Sequence, residues 1–133
     1  MIFVDTGAFV ARYVQRDQYH PRAVRSWQKF RHQQQRCSTS NFVLDETITL
    51  IARTAGYPFA AETARRILSS NWMTVLRPDE EDELQSLELF EKFADQKVSF
   101  TDCISFVLMR KGQLTQAFSY DRHFSLAGFQ LWS

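Results

Sequence analysis

The sequence predicts an α/β fold in which a mainly parallel sheet is covered by helices on both faces. Two observations lead to this prediction. Five short apolar or β-branched runs have the length of buried strands, and the segments between them have the apolar spacing of amphipathic helices. Gly56, Pro58, Pro78 and Gly112 separate these segments, and no repeat or low-complexity linker divides the chain. We therefore expect one domain over residues 1–133.

The predicted elements alternate along the whole chain. The strands cover residues 2–4, 37–39, 73–76, 117–119 and 129–132, and the helices cover residues 6–15, 20–30, 41–54, 58–70, 79–93 and 101–111. Pro21 suits the first turn of the second helix, and the acidic start of the fifth helix complements the helix dipole. Strands that alternate with helices form parallel pairs, because each helix carries the chain back across the sheet.

Composition limits the class of protein. Apolar residues make up 44% of the 133 residues, which is enough for a substantial core. No stretch approaches the roughly 20 apolar residues of a membrane span, and no basic-then-apolar leader precedes the first strand, so we expect a cytoplasmic protein. Cys37 and Cys103 form neither a CxxC motif nor a disulfide framework, and we expect buried thiols.

The net charge is only +1, but the charges are unevenly distributed. Residues 1–36 contain seven Lys or Arg and two acids, whereas residues 77–100 contain three basic residues and eight acids. Such asymmetry is found in proteins that meet polyanions, and it is also produced by solvated helix faces. Both explanations remain open at this point.

Three aspartates lie where apolar segments stop. Asp5 follows the first strand, Asp102 lies in "VSFTDCISF" and Asp121 lies in "AFSYDRHF". Ligands of open parallel sheets bind at the carboxyl ends of the strands, where Asp5 and Asp121 are expected. Each acid alone also has a structural explanation, since Asp5 suits a helix cap, Ser99 and Asp102 match a capping box, and Asp121 suits a turn. The recurrence favours a common site.

A fourth acid, Glu46, lies within the predicted helix 41–54. Residues four apart share a helix face, so Glu46 lies in a row with Phe42 and Leu50, whereas the neighbouring Asp45 does not. We expect this row to face the core and Glu46 to point inward. A carboxylate among apolar neighbours must be paired, protonated or bound to a cation.

Four clustered carboxylates would repel one another unless a cation neutralised them. No Lys or Arg recurs at these junctions, so an oxygen-only site for Mg²⁺ or Mn²⁺ is predicted. Zinc would require His or Cys at short spacing, which His20, His32 and His123 do not provide. His123 lies two residues after Asp121 and could reach the site, but a surface or packing role is the expectation for it.

The four acidic blocks resemble those of the PIN-domain nucleases, especially the VapC-type toxins of prokaryotic toxin–antitoxin pairs. The blocks are "FVDTGAFVA", "FVLDETITL", "SFTDCISFVLMR" and "AFSYDRHFSLAGFQL", in family order and across nearly the whole chain. The resemblance implies a three-layer α/β/α sandwich on a mainly parallel five-stranded sheet. It implies that the catalytic, metal-binding residues are Asp5, Glu46, Asp102 and Asp121. Thr6 and Ser119 are expected to contact these acids.

The resemblance also implies a function: a Mg²⁺- or Mn²⁺-dependent endoribonuclease, with an RNA substrate, a small antitoxin partner and a homodimeric state. One or two ions would activate the attacking water and stabilise charge on the phosphate. Among the basic residues interleaved with aromatic ones, Arg12 and Arg16 are candidate substrate contacts, while Trp27 is expected in the core.

Three other classes of protein are alternatives to this function. The first is a non-catalytic PIN-like module that binds RNA or serves as a scaffold, and metal-dependent cleavage would separate it from the nuclease. A phosphoacceptor receiver domain would need paired acids after the first strand and a lysine after a late strand, which "VDTG" and "FSYD" lack. A haloacid-dehalogenase-type phosphatase would need an aspartate where Gly7 stands.

Overall fold

A computed structural model describes residues 1–132 and contains a five-stranded sheet in which every neighbouring pair is parallel. The strands are β1 (Ile2–Val4), β2 (Cys37–Ser40), β3 (Met73–Leu76), β4 (Gln116–Phe118) and β5 (Gln130–Trp132). Their order across the sheet is β3-β2-β1-β4-β5. Phe3 of β1 is in register with Ser38 of β2 on one side and with Ala117 of β4 on the other.

Helices connect the strands and cover the sheet, which gives the three-layer α/β/α architecture. They are α1 (Thr6–Tyr13), α2 (His20–His32), α3 (Asn41–Ala55), α4 (Tyr57–Ser69), α5 (Glu80–Lys92), α6 (Phe100–Lys111) and α7 (His123–Leu126), with a 3₁₀ turn at Ala94–Gln96. Within residues 1–132, none of the helices combines the length and the apolar character needed to cross a bilayer.

The predicted fold class and all eleven predicted elements are confirmed, with shifts at the ends. The first helix stops at Tyr13 rather than at residue 15, and Asp79 caps α5 from outside, through a reciprocal capping box with Asp82. The 3₁₀ turn and α7 were not predicted. Both are only one turn long, so neither produces a periodic apolar pattern.

The core is aromatic and is centred on β1 and β4. Phe3, Val4 and Phe118 are fully buried, and Trp27 packs against Phe118 with ring centroids 5.3 Å apart. The Trp27 indole N–H donates to the Ala8 carbonyl at 3.1 Å, so its polar atom is satisfied inside the core. This confirms the expected core role of Trp27.

Both cysteines are buried and unbridged, as expected. Cys37 begins β2 and Cys103 lies in α6. Burial raises the pKa of the Cys37 thiol to about 12 and that of the Cys103 thiol to about 11, so both are protonated at neutral pH.

The strand order places the switch point of the sheet between β1 and β4. The chain proceeds from β1 outward to β2 and β3, then crosses to the other side of β1 to form β4 and β5. The connections that follow β1 and β4 therefore leave in opposite directions and open a crevice at their carboxyl ends. Asp5 directly follows β1, and Asp121 lies three residues after β4.

Candidate active site

An open cavity of about 750 Å³ lies at the carboxyl ends of β1 and β4, and it collects acids from four separate segments. Its lining includes Asp5, Glu46, Asp102 and Asp121. The structure thus brings together the four carboxylates that were singled out from the sequence. Asp17 of the α1–α2 loop also lines the cavity, but its Oδ1 accepts the Tyr19 backbone N–H at 2.9 Å within a local turn.

Asp5 is held by its backbone and by one hydroxyl. Its N–H donates to the Phe118 carbonyl at 3.0 Å, and its Oδ2 accepts the Ser119 hydroxyl at 2.9 Å. Asp5 precedes α1 as N-cap, but its side chain makes no capping bond, so a cap does not explain the carboxylate. The side chain is buried, and this burial, reinforced by Asp102, raises the pKa of Asp5 to about 7 even though Ser119 and the Thr6 N–H lower it.

Asp102 lies in the first turn of α6. Its backbone N–H donates to Ser99 Oγ at 3.1 Å, which is one half of the capping box that the spacing suggested. The carboxylate lines the cavity and is largely buried. Burial and the charge of Asp121 raise the pKa of Asp102 to about 6, while His123 lowers it.

Asp121 stabilises the turn after β4 and also lines the cavity. Its N–H donates to Ser119 Oγ at 3.0 Å, and its Oδ1 accepts the His123 N–H at 2.8 Å. Ser119 therefore contacts two of the four acids through one hydroxyl, because it donates to Asp5 and accepts from the Asp121 backbone. These bonds fix the turn that follows β4.

Glu46 is half-buried on α3 and lines the cavity, whereas Asp45 is exposed. The prediction that the row of Phe42, Glu46 and Leu50 faces the core was wrong. The buried face of α3 is formed by Val43, Leu44, Thr47, Ile51 and Ala52. Phe42 is half-buried and Leu50 is exposed, so their row lies at the rim of the cavity and not in the core. Glu46 belongs to that rim.

Among residues 1–132, the acids of the cavity form no ion pair with a Lys or Arg, whereas the buried Asp82 pairs with Lys111. Asp82, outside the cavity, is buried and accepts Lys111 Nζ at 3.0 Å. Within residues 1–132, Asp5 makes no ion pair, and the ion pairs of Asp102 and Asp121 are both with His123. A carboxylate that is buried without a counter-ion is stable only if it is protonated or binds a cation, so this cavity is a candidate metal site.

The donor atoms fit a divalent cation. One carboxylate oxygen each from Asp102 and Asp121 and a ring nitrogen of His123 lie within 4.8 Å of one another. His123 Nδ1 is 3.1 Å from Asp121 Oδ1 and 3.6 Å from Asp102 Oδ2, which corrects the expectation of a surface or packing role. Thr6 Oγ1 lines the same cavity, is buried and has no hydrogen-bond partner among the described residues. A set of carboxylate oxygens with one imidazole nitrogen has the chemistry of a divalent-cation site.

Comparison with known proteins agrees with this geometry. A family model described as "PIN domain" matches residues 2–130. The chain belongs to the PIN-domain family. This PIN domain is 36% identical over 129 residues to the 23S rRNA-specific endonuclease VapC20 of Mycobacterium tuberculosis, an alignment that covers 97% of this chain and 95% of the relative. The same identity and coverage hold for that protein from a second M. tuberculosis strain.

A solved structure gives the same result at the level of the fold. The crystal structure of M. tuberculosis VapC20, described as a sarcin–ricin loop cleaving toxin, superposes on this PIN domain with a TM-score of 0.88. The two chains are 34% identical in that alignment, which covers 97% of this chain and 96% of the other. The predicted family is confirmed.

Arg12 and Arg16, the candidate substrate contacts, do not line the acidic cavity. The Arg12 guanidinium stacks on Tyr13 and Trp27, 4.9 and 4.6 Å from the ring centroids, and lines a different cavity. Burial lowers the pKa of Arg12. Arg16 donates to the Thr54 carbonyl at 3.2 Å. Contact of either arginine with a substrate stays a prediction.

Sequence reasoning overlooked two basic residues at the acidic cavity of this PIN domain, Lys97 and Arg122, and favoured a role elsewhere for a third, His123. The available signal was the spacing in "DRHF", which places two basic residues directly after Asp121. Lys97 gave no such signal, because it precedes α6 in a turn whose conformation the sequence does not reveal.

Proposed function

We propose that this PIN domain is a Mg²⁺- or Mn²⁺-dependent endoribonuclease that hydrolyses phosphodiester bonds in RNA. The observation that carries the proposal is the convergence of Asp5, Glu46, Asp102 and Asp121 on one cavity without a Lys or Arg counter-ion among the described residues. Similarity to an endonuclease over nearly the whole chain supports the same activity.

The acids and His123 have separate roles in the proposed reaction. Asp5, Glu46, Asp102 and Asp121 would hold the cation, with His123 beside the last two. A bound divalent cation supplies positive charge that favours deprotonation of the attacking water and stabilises the charge that develops on the phosphate. Asp5 and Asp102, whose pKa values are raised, must lose their protons before they can serve as ligands.

We propose ribosomal RNA as the first substrate class to test. The relative is named for 23S rRNA and its crystal structure for the sarcin–ricin loop, and the alignment leaves only a few residues of either chain uncovered. An unpaired loop suits an open cavity, because its bases and phosphates are more accessible than those of a duplex.

Protein partners belong to the same proposal: a small antitoxin that inhibits the enzyme, and a second copy of the chain in a homodimer. The description of the structural relative as a toxin supports the antitoxin. Exposed apolar side chains support protein contacts, and they include Leu68 of α4 and Leu84, Leu87 and Phe90 of α5. A cytoplasmic location is part of the same proposal, because RNA and an antitoxin would both be met there. Light scattering of the purified chain, and co-purification with the product of any adjacent small reading frame, test these partners.

Cleavage of a labelled RNA hairpin by purified protein tests the activity. We expect cleavage with Mg²⁺ or Mn²⁺, none with EDTA, and a loss of about 100-fold or more in Asp5→Asn, equivalent to a few kcal/mol of transition-state stabilisation. Asp45→Asn is the matched control, because it removes an equal charge from an exposed position next to Glu46. RNA binding without metal-dependent cleavage would instead identify the non-catalytic module.

A further inference from the structure

A second cavity adjoins the acidic one. It has a volume of about 610 Å³ and is lined by part of the 3₁₀ turn and by α7. Lys97, Arg122 and His123 line both cavities, so the two adjoin with these basic side chains at the junction, and we call the pair of cavities the groove. The only acid that lines the second cavity is Asp95. The sign of the charge therefore changes along the groove, from acidic at the carboxylates to basic at the junction.

Lys97 is held at this junction by an unfavourable backbone conformation. Its φ of 56° and ψ of 37° are left-handed, a conformation that a residue with a β-carbon adopts at a cost. The next residue, Val98, is buried, and Ser99 caps α6, the helix that carries Asp102. The position of Lys97 relative to the acids is thus fixed from its C-terminal side. Glycine would be easier to accommodate at this C-cap, and Gln34 and Gln113 have a similar positive φ elsewhere in the chain.

Arg122 is fixed from the other side of the groove. It directly follows Asp121, and the bond from the His123 N–H to Asp121 Oδ1 closes the turn that contains it. Both side chains are exposed, and within residues 1–132 neither Lys97 nor Arg122 makes an ion pair with an acid. Their charges are consequently available to a ligand.

A groove of this kind suits a polyanion that passes through the acidic cavity. The carboxylates repel a phosphodiester unless a cation is bound, and fixed positive charges beside them offset that repulsion along the strand. We propose that Lys97 and Arg122 bind the phosphodiester next to the one that is cleaved, and so set the register of the RNA. This inference rests on the proposed ribonuclease function and assigns positioning residues to it.

RNA binding, measured by fluorescence anisotropy on a labelled hairpin over a salt series, tests the inference. The Lys97→Gln/Arg122→Gln double variant is compared in an Asp5→Asn background, so that cleavage does not intervene. Loss of two phosphate contacts should make the slope of log K against log salt shallower by about 1.4, and should weaken binding about 10-fold at 0.1 M salt. Arg53→Gln/Arg65→Gln is the matched control, because it removes equal charge from exposed positions on α3 and α4 that line neither cavity.

Two further measurements separate binding from folding and from metal loss. Lys97→Gly removes the charge and relieves the left-handed strain, so binding should weaken while the melting temperature does not fall. The shift in melting temperature on adding Mn²⁺ should be the same with and without the Lys97→Gln/Arg122→Gln pair when both proteins retain Asp5. Equal RNA affinity and salt slope in the double variant and its control would overturn the inference, even if the parent cleaves RNA. If the protein with all its acids neither binds nor cleaves RNA, both proposals fail.

Discussion

Ser119 Oγ lies 2.9 Å from Asp5 Oδ2 and 3.0 Å from the Asp121 backbone nitrogen, so one hydroxyl joins acids that are more than a hundred residues apart in the chain. It donates to the first and accepts from the second. Ser119 is buried, and no other hydrogen bond to the Asp5 carboxylate from a side chain is present among the described residues. The ionised form of Asp5 thus depends on Ser119 and the Thr6 N–H, which lower its pKa against the effect of burial.

Ser119→Ala should weaken metal binding most at low pH. Without the hydroxyl, the pKa of Asp5 rises above about 7, and protons compete more strongly with the cation. We expect Mn²⁺ affinity about 10-fold lower at pH 6.5, with a smaller deficit at pH 8.5. Calorimetric titrations at both pH values measure this. Ser119→Thr, which keeps the hydroxyl, should retain affinity, and a deficit independent of pH would contradict the role assigned to the hydrogen bond.

Asp5→Asn should stabilise the metal-free fold at high pH. The folded pKa of Asp5, about 7, lies above the ordinary value of 3.8, so between these values the folded state holds more protons than the unfolded state. Stability of the parent therefore falls as pH rises through this range and levels off above it. The variant should be more stable by up to about 4 kcal/mol at pH 8 and by less at pH 5. Urea unfolding in EDTA provides the comparison, and a gap that stays constant with pH would be inconsistent with a buried, protonated Asp5.

Stabilisation by Mn²⁺ should increase with pH. Asp5 and Asp102 have pKa values of about 7 and about 6, and both must be deprotonated to bind a cation. A ligand that binds only the folded state raises the melting temperature by mass action, so at fixed millimolar Mn²⁺ the shift should be small at pH 5.5 and larger at pH 8. An equal shift in Asp5→Asn/Asp102→Asn would mean that the ion binds elsewhere.

Glu46→Gln and Asp45→Asn should differ sharply although the two acids are adjacent. Successive helix residues are rotated by about 100°, and here Glu46 lines the cavity while Asp45 is exposed. We expect Glu46→Gln to reduce metal affinity and RNA cleavage about 10-fold or more, and Asp45→Asn to leave both near the parent values. Metal titrations and cleavage rates on the pair are the measurement. Equal losses would show that both acids serve the site.

The sheet could be predicted from the sequence, because the residue patterns that indicate strands and helices are local. Four strands are short runs rich in apolar residues, β2 is a short run of small and β-branched residues, and helical segments separate all five. The acids at the ends of β1 and β4 follow from the geometry of parallel sheets. The orientation of α3 was harder to predict. Its buried face includes Thr47, a polar residue that interrupts the apolar stripe, and Phe42 makes an edge contact with Phe100 at 6.1 Å instead of entering the core.

The side chains whose place at the cavity could not be predicted are positioned by turns. His123 reaches Asp102 because the segment after β4 folds back through the Asp121 bond to the His123 N–H. Lys97 lines the same cavity, and no residue type in its turn predicts the left-handed backbone conformation that Lys97 adopts. Spacing along the chain predicts which residues share a helix face or a strand end, but not where a loop places a side chain.

The order in which the acids occur has a consequence for synthesis of the protein. Asp5 is made before the other three acids and Asp121 after them, and β4, the strand that brings Ser119 and Asp121 to Asp5, pairs directly with β1. A chain that has emerged only as far as β3 can pair β1 with β2 and β2 with β3, but it lacks the Ser119 and Asp121 that lie beside Asp5. The growing polypeptide therefore acquires its complete set of four carboxylates only after residue 121 has left the exit tunnel.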